Sequence, residues 1–427
     1  MIVPQKFYKD FQSIQTIKYG PYESSVECFA HHKDRQTLYI SSKLKSEINL
    51  ANNKKISLNV EAYSCTISLV LGVLIAGFHS NDLLLGARTE LFRKMSNVGK
   101  ELGYETIFFG HQHILSKQNK IYAYYLHENE WKQGTFDFPT VVYNRIPNRK
   151  TEHHPNVIRA KKLIETNGTL FNRGFFNKWE IYEWLMRSNE SSYLLPESIL
   201  HPSKQKIIQL LETDSLYIKP VHGSRGEGII KCRKLETSEI QCQYYRQNVP
   251  QMNRYTDPNA FFNQHFPNGL KGYVVQKEIP LLRKGASAID FRVHVNKNHR
   301  NSWEVTLICA KFAGKGSLTT HVQRGGSLHL VEDLFSKDKA KRMKDKLSKT
   351  ALKVSNTLEN YLRQPVGEIG FDFGIDEEGK VWMFEANSKP GFSVYDHPKL
   401  NEKAATVFSY PYKFAFYLHN LQMNQTD

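Results

Sequence analysis

Residues 370–390, GFDFGIDEEGKVWMFEANSKP, restrict what this chain can become more than any other stretch. Two apolar-rich runs flank Asp376-Glu377-Glu378-Gly379-Lys380, which is the pattern of a β-hairpin. With Glu378-Gly379 as a two-residue loop, Asp372 lies directly opposite Glu385. Strand side chains alternate, so Asp372, Glu385 and Asn387 share one face, while Phe371, Phe373, Phe384 and Ala386 point to the other. Two carboxylates about 5 Å apart repel by roughly 3 kcal/mol at an effective dielectric of about 20. A hard divalent cation relieves that repulsion, and Mg²⁺ commonly takes one or two carboxylates together with substrate phosphates. The competing reading is an amphipathic hairpin with a solvated acidic face. The apolar residues crowded around the acids count against it.

The rest of the chain offers partners for such a centre. Its 427 residues are enough for two or three domains, and 40% hydrophobic and 12% aromatic content is that of a folded protein. A formal net charge of +16 attracts polyanions such as nucleotides, acidic polymers, membranes or nucleic acid. No zinc finger, RNP motif or isolated basic tail points to nucleic acid, so net charge alone carries that reading. Cys28, Cys65, Cys232, Cys242 and Cys309 form no CxxC pair and no even framework, which fits a reducing cytosol. The N-terminus lacks the apolar core of a signal peptide. The most apolar run, residues 67–78 (ISLVLGVLIAGF), is too short to span a bilayer and reads as a buried strand.

Residues 1–66 read as a small β-rich module with strand-prone runs at 36–41 and 56–60. From 67 to 150 the pattern changes to a strand at 69–78, a helix at 83–102, a strand at 106–109, hairpin pieces around 122–131 and a strand at 140–143. That alternation predicts an open α/β layer, whose ligands sit beyond the strand carboxyl ends. Asn144 and Arg145 occupy such an end. Arg145 is a candidate clamp for an anionic substrate, with a salt-bridged surface arginine as the alternative. Residues 155–212 read as helical pieces, including one capped by Asn177. The long segment 327–363 reads as charged and helical, and 409–422 as a final amphipathic or packed helix.

Residues 216–231, LYIKPVHGSRGEGIIK, place Lys219 on a strand that enters a glycine-rich loop and leaves on a second strand. No GK[ST] is present and no helix follows, so this is neither a Walker A loop nor a Rossmann turn. Glycines let backbone N–H groups approach phosphate oxygens, and Lys219 can meet them as a point charge. A plain hairpin turn is the alternative. Strands follow at 273–280, 290–295 and 303–311, then a basic, glycine-bearing loop at 319–327 and the acidic hairpin. His111, His113, His153 and His154 have no third ligand at a recognisable metal spacing.

In this order the segments VVYNRI (141–146), FFNKWEIYEWL (175–185), LLPES (194–198), YIKPVHGSRGEGI (217–229), VVQKEIPL (274–281), DFRVHV (290–295), RGGS (324–327) and the acidic hairpin resemble ATP-grasp proteins, more narrowly the YheC/YheD-type endospore coat-associated family. The resemblance covers roughly residues 67–421. It implies an α+β / α/β fold: an N-terminal β-rich module (1–66), a pre-ATP-grasp α/β substrate domain (67–150), and an ATP-grasp domain (151–425). Within the last, a central subdomain (155–275) and a metal-binding subdomain (276–425) clasp ATP.

The resemblance also implies roles. Lys178 and Lys219 hold ATP phosphates, and Gly223, Ser224, Gly226 and Gly228 belong to a covering loop. Gln276, Lys277, Glu278 and Ile279 form the hinge around adenine, and Asp290 lies near the ribose. Arg292, Lys311 and Arg324 serve the transfer, with Gly325, Asn144 and Arg145 on the substrate side. Asp372, Glu385 and Asn387 hold Mg²⁺, for which Mn²⁺ can substitute. The implied reaction activates a carboxylate as an acyl phosphate that an amine attacks. Lys311 stands where relatives commonly carry arginine, which keeps the charge without the bidentate fork. Thr320-His321 stands where an asparagine often precedes the RGG. The expected partners are ATP, an unidentified carboxylate with an amine acceptor, and spore-coat proteins, in the cytosol or the coat. A nucleotide-binding coat component without turnover is the rival reading.

Overall fold

One strand, Ser64–Leu74, joins what the sequence divides. The computed structural model of the protein describes residues 1–33, 37–50, 57–79, 84–221, 223, 227–247, 249–285, 287–312 and 326–425. Along Ser64–Leu74, burial alternates at first and is then continuous. The alternating half has one covered face, and the continuous half is covered on both. The first half pairs with Thr16–Tyr19 in parallel and Ser57–Glu61 in antiparallel fashion. The second half pairs in parallel with Tyr104–Phe109 and Val141–Asn144.

The β-rich start and the α/β layer are therefore one ten-stranded sheet. The expected boundary at 66/67 falls inside a strand, and Thr169–Phe171 extends the same sheet past residue 150. The strand expected at 69–78 starts earlier and stops at Leu74. Of the run expected at 36–41, the described part makes only an isolated bridge, Tyr39 to Ile2.

Ile2–Pro4 and Phe29–His31 form a separate parallel pair, and two six-stranded sheets, the second and third, carry the rest. The second is antiparallel and has six strands, in the order Ser198–Leu200, Tyr273–Lys277, Leu216–Pro220, Ile230–Lys234, Ile240–Arg246, Val249–Tyr255. The third contains Ser327–His329, Trp303–Phe312, Ser287–Lys297, Glu368–Ile375 and Val381–Asn387, again antiparallel. The helix Lys337–Tyr361 buries Ala340, Met343, Leu347, Ala351, Val354 and Leu358 in the core it shares with this sheet. Their i, i+3, i+4 spacing is what makes a single apolar stripe out of a lysine-rich sequence. The closing helix Pro398–Gln425 returns to the first sheet. Its Tyr412 hydroxyl donates to the Met95 carbonyl at 2.8 Å and meets the Thr106 hydroxyl at 2.7 Å. No helix among the described residues is long and apolar enough to cross a membrane.

Two buried carboxylates fasten the first sheet to the third. Glu368 accepts from the Tyr143 hydroxyl at 2.5 Å and from Arg145 at 2.6 Å. Glu152 takes Lys161 and Lys389, each at 2.7 Å, the Asn144 amide at 2.7 Å and the Phe175 backbone N–H at 3.1 Å. Asn172, fully buried, accepts from Gly367 N–H and donates to the Glu368 carbonyl.

Because Ser64–Leu74 serves both halves of the first sheet, those halves should unfold together. Leu71→Ala, at a fully buried position, should lower stability by about 2–5 kcal/mol. Urea unfolding followed by fluorescence and by far-ultraviolet circular dichroism should give coincident transitions in both proteins.

Candidate active site

The second and third sheets face each other across a cleft of about 260 Å³ that the helix Lys178–Met186 helps to close. Asn177 caps this helix, accepting from the N–H groups of Trp179 and Glu180, as the sequence predicts. The cap leaves Lys178 at the first helical position, facing the cleft. Its lining combines apolar and aromatic side chains, Tyr182, Leu195, Tyr217, Val274, Leu281 and Met383, with the charged Lys178, Lys219, Asp290, Lys311, Asp372 and Glu385.

The acidic hairpin builds the charged wall by a route that its sequence does not show. The turn spans three residues between Asp376 and Lys380, with Gly379 at φ +80°. Near the turn Phe373 therefore faces Met383, one residue out of the expected register. A bulge at Phe384 restores it, so Asp372 does face Glu385 and Gly370 faces Asn387. The bulge changes one side chain. Strict alternation sends Phe384 to the core, but it lies over Gly374 and lines the cleft. A Cβ on Gly374 would come within 2.7 Å of the Phe384 ring, so glycine is needed there.

Each carboxylate is held by a cation. Lys311 lies 2.7 Å from Asp372 and 3.1 Å from Asp290, and the Arg292 Nε is 3.3 Å from the same Asp372 oxygen that meets Lys311. Lys178 lies 3.2 Å from Glu385 and donates to the Gly223 carbonyl. Burial works against the Lys311 ammonium, but Asp372 and Asp290 together raise its pKa. For Lys219, burial first, then Lys178, lower the pKa to about 8 against a smaller upward pull from Glu385, and its ammonium donates to the Gln276 side-chain carbonyl at 2.9 Å.

The hinge segment divides. Gln276, Lys277 and Ile279 line the cleft, whereas Glu278 pairs with Lys231 on Ile230–Lys234, across the intervening Leu216–Pro220. Lys277 is tethered by Glu197 at 2.9 Å and Asp214 at 3.2 Å. The Gln276 amide donates to Ser198 Oγ at 2.9 Å, which fixes its carbonyl towards Lys219. Ser198 lies in the LLPES segment but carried no role in the sequence reading, because cross-strand partners have no sequence signature. Gly223 and Gly228 flank a hairpin between Leu216–Pro220 and Ile230–Lys234. Ser224, Gly226, Arg324 and Gly325 lie outside the described residues.

Asn144 and Arg145 do not border this cleft. Asn144 is fully buried and bonds Glu152 and the Arg173 carbonyl. Arg145 is buried against Glu368, donates to the Pro390 carbonyl at 3.1 Å and stacks on Phe392. The salt-bridged alternative describes it better than a substrate clamp, with the difference that the bridge is buried and not at the surface. His111 and His154 have ring centroids 5.8 Å apart, and among the described residues no group of three His, Cys, Asp or Glu side chains could hold a metal ion.

The chain was compared with known proteins. Residues 167–418 match the family model described as YheC/D like ATP-grasp. Endospore coat-associated protein YheD of Bacillus subtilis (strain 168) is 32% identical over 392 residues, 90% of this chain and 86% of that protein. Endospore coat-associated protein YheC of the same organism is 24% identical over 280 residues, 64% of this chain and 76% of that protein. The solved VanG D-Ala:D-Ser ligase from Enterococcus faecalis aligns over 82% of this chain and 99% of its own at 11% identity and a TM-score of 0.47, a likeness too loose to argue from.

Two outcomes follow from these charges. Asp372→Asn leaves Lys311 and Arg292 with less compensation in a buried site and should destabilise the protein by about 3–5 kcal/mol in urea. Lys219 has a folded-state pKa below its ordinary 10.5, so between about 8 and 10.5 the unfolded chain binds more protons. Ligand-free stability should therefore rise with pH across that window, and Lys219→Met should remove this contribution in unfolding curves at stepped pH.

Proposed function

We propose that this chain, which belongs to the YheC/D-like ATP-grasp family, is an ATP- and Mg²⁺-dependent carboxylate–amine ligase. The supporting observation is one cleft lined both by apolar and aromatic side chains and by Lys178, Lys219, Lys311, Asp290, Asp372 and Glu385. Adenine lies among the apolar side chains beside Gln276, Lys277 and Ile279, and Asp290 is the ribose neighbour. Glu278 is engaged by Lys231. Lys178 and Lys219 meet the phosphates. The covering loop with Ser224 and Gly226, and Arg324 with Gly325, keep the phosphate and intermediate-binding roles that the family resemblance assigns.

Asp372, Glu385 and Asn387 supply hard oxygen donors, and two of them face each other across a strand pair. That set suits Mg²⁺, or Mn²⁺ in its place, better than a softer metal. The bound cation neutralises phosphate charge. Everything else falls to the side chains. Phosphoryl transfer depends on positioning and charge more than on covalent catalysis. Lys178 and Lys311 pair with carboxylates of the cleft and can turn to phosphate oxygens when the nucleotide enters. Arg292, on the strand opposite Asp372, takes the role near the acyl group that the family resemblance assigns. In the proposed reaction the γ-phosphoryl group passes to the substrate carboxylate, giving ADP and an acyl phosphate. An amine then attacks the acyl carbon, forms the amide and expels phosphate.

A second reading has its own support. Both curated relatives are named as endospore coat-associated, which favours a nucleotide-binding coat component without turnover. ATP consumption with pooled carboxylates and amines separates the two. Glu385→Ala should reduce substrate-dependent ADP release by about 10²-fold or more. Equal background in wild type and variant, with nucleotide binding intact, would favour the coat component.

A further inference from the structure

Lys178 and Lys219, the lysines that the ligase reading gives to the phosphates, stand on different elements, and a series of hydrogen bonds leads from one to the helix of the other. The Lys219 ammonium donates to the Gln276 side-chain carbonyl at 2.9 Å, and the Gln276 amide donates to Ser198 Oγ at 2.9 Å. The Ser198 hydroxyl donates in turn to the Pro196 carbonyl at 3.0 Å. That carbonyl also accepts from the Tyr182 hydroxyl at 3.2 Å, whose oxygen accepts from the Ser198 backbone N–H at 3.1 Å. Tyr182 lies one turn beyond Lys178 on Lys178–Met186. Lys178, Tyr182, Ser198, Lys219 and Gln276 all border the cleft.

Strand register makes the series continuous. Ser198 lies directly opposite Gln276, and Gln276 directly opposite Tyr217. Opposed residues share a face of the sheet, and Lys219, two residues past Tyr217, shares it too. Three neighbouring strands thus bring a hydroxyl, an amide and an ammonium side by side.

The direction of these bonds is set from the Ser198 end. A glutamine amide has an accepting side and a donating side and can turn over. Gln276 is buried, so both sides need partners. Because the Ser198 hydroxyl gives its proton to Pro196, its oxygen is left to accept the Gln276 N–H. The Gln276 carbonyl is then committed to Lys219. One of the three ammonium N–H groups is held by that carbonyl, which fixes where the other two can point. A long lysine side chain is otherwise rich in rotamers, and phosphoryl transfer depends on positioning.

We infer that Ser198 is a positioning residue, which fixes the Gln276 amide so that the Lys219 ammonium is aimed at the nucleotide phosphates. The inference rests on the ligase reading and names a residue that sets the strength of a phosphate contact through two intermediaries. Without the hydroxyl, the Gln276 NH₂ loses its acceptor and can turn towards Lys219, donor against donor.

The test is a double-mutant cycle over Ser198 and Lys219, read by calorimetric titration of the full chain with adenylyl imidodiphosphate and Mg²⁺. Ser198→Ala should weaken binding about tenfold in the otherwise unchanged protein. In Lys219→Met, which has no ammonium to aim, the same substitution should change binding by less than about twofold. Ser198→Thr keeps the hydroxyl and should recover most of the affinity. Ser198→Cys, whose sulfur is a weak acceptor, takes the place of the alanine variant in the cycle if that variant does not fold. No loss in Ser198→Ala, no recovery in Ser198→Thr, or an equal loss with and without Lys219 would overturn the inference and leave the ATP reading standing. An equal loss is the result expected of a hydroxyl that touches the nucleotide itself or merely supports its strand. Failure of wild type to bind the analogue would overturn the ATP reading first, and this inference with it.

Discussion

The burial of Glu368 at the meeting of the first and third sheets is the constraint on which the site geometry depends. This carboxylate lies on the strand that also carries Asp372, and it is held by Tyr143 and Arg145 from the other sheet. Burial pushes its pKa up, against the pull of Arg145, so the contact is stable only with its donors in place. Glu152 repeats the device, holding Lys389 two residues past Asn387. Together they tie the strands of the acidic hairpin to the first sheet and its flanking segment.

Inside the cleft, charge is arranged in pairs that a ligand can exchange. Asp372 and Asp290 share Lys311, and Glu385 holds Lys178. Such pairing offsets the charge of the carboxylates. It also stores the lysines next to the position that the ligase reading gives to phosphate. Lys219 differs because its direct partner is a neutral amide, Gln276, fixed by Ser198.

Much of the cleft was legible in the sequence because its parts are local. The cap at Asn177, the Leu216–Pro220 hairpin and the Asp372–Glu385 pairing each follow from a few consecutive residues obeying strand or helix periodicity. Even so, the pairing is reached through a longer turn and a compensating bulge, two deviations of opposite sign that no alternation rule distinguishes from none. Phe384 shows the consequence, since it changes face. Arg145 was misleading for a related reason. A strand-end arginine reads as a ligand clamp until its partner is known, and Glu368 lies more than two hundred residues away in sequence.

The sequence by itself determined most element types, the order of glycine-rich loop, following strands and acidic hairpin, and membership in the family, because these depend on local chemistry in a fixed order. Tertiary structure decided the rest. It merged the N-terminal module and the α/β layer through Ser64–Leu74, turned Glu278 aside to Lys231, and took Arg145 into a buried bridge. The physical reason is that a charged side chain acquires its role from the counter-charge it meets. That partner is set by packing between distant segments and not by neighbours in the chain.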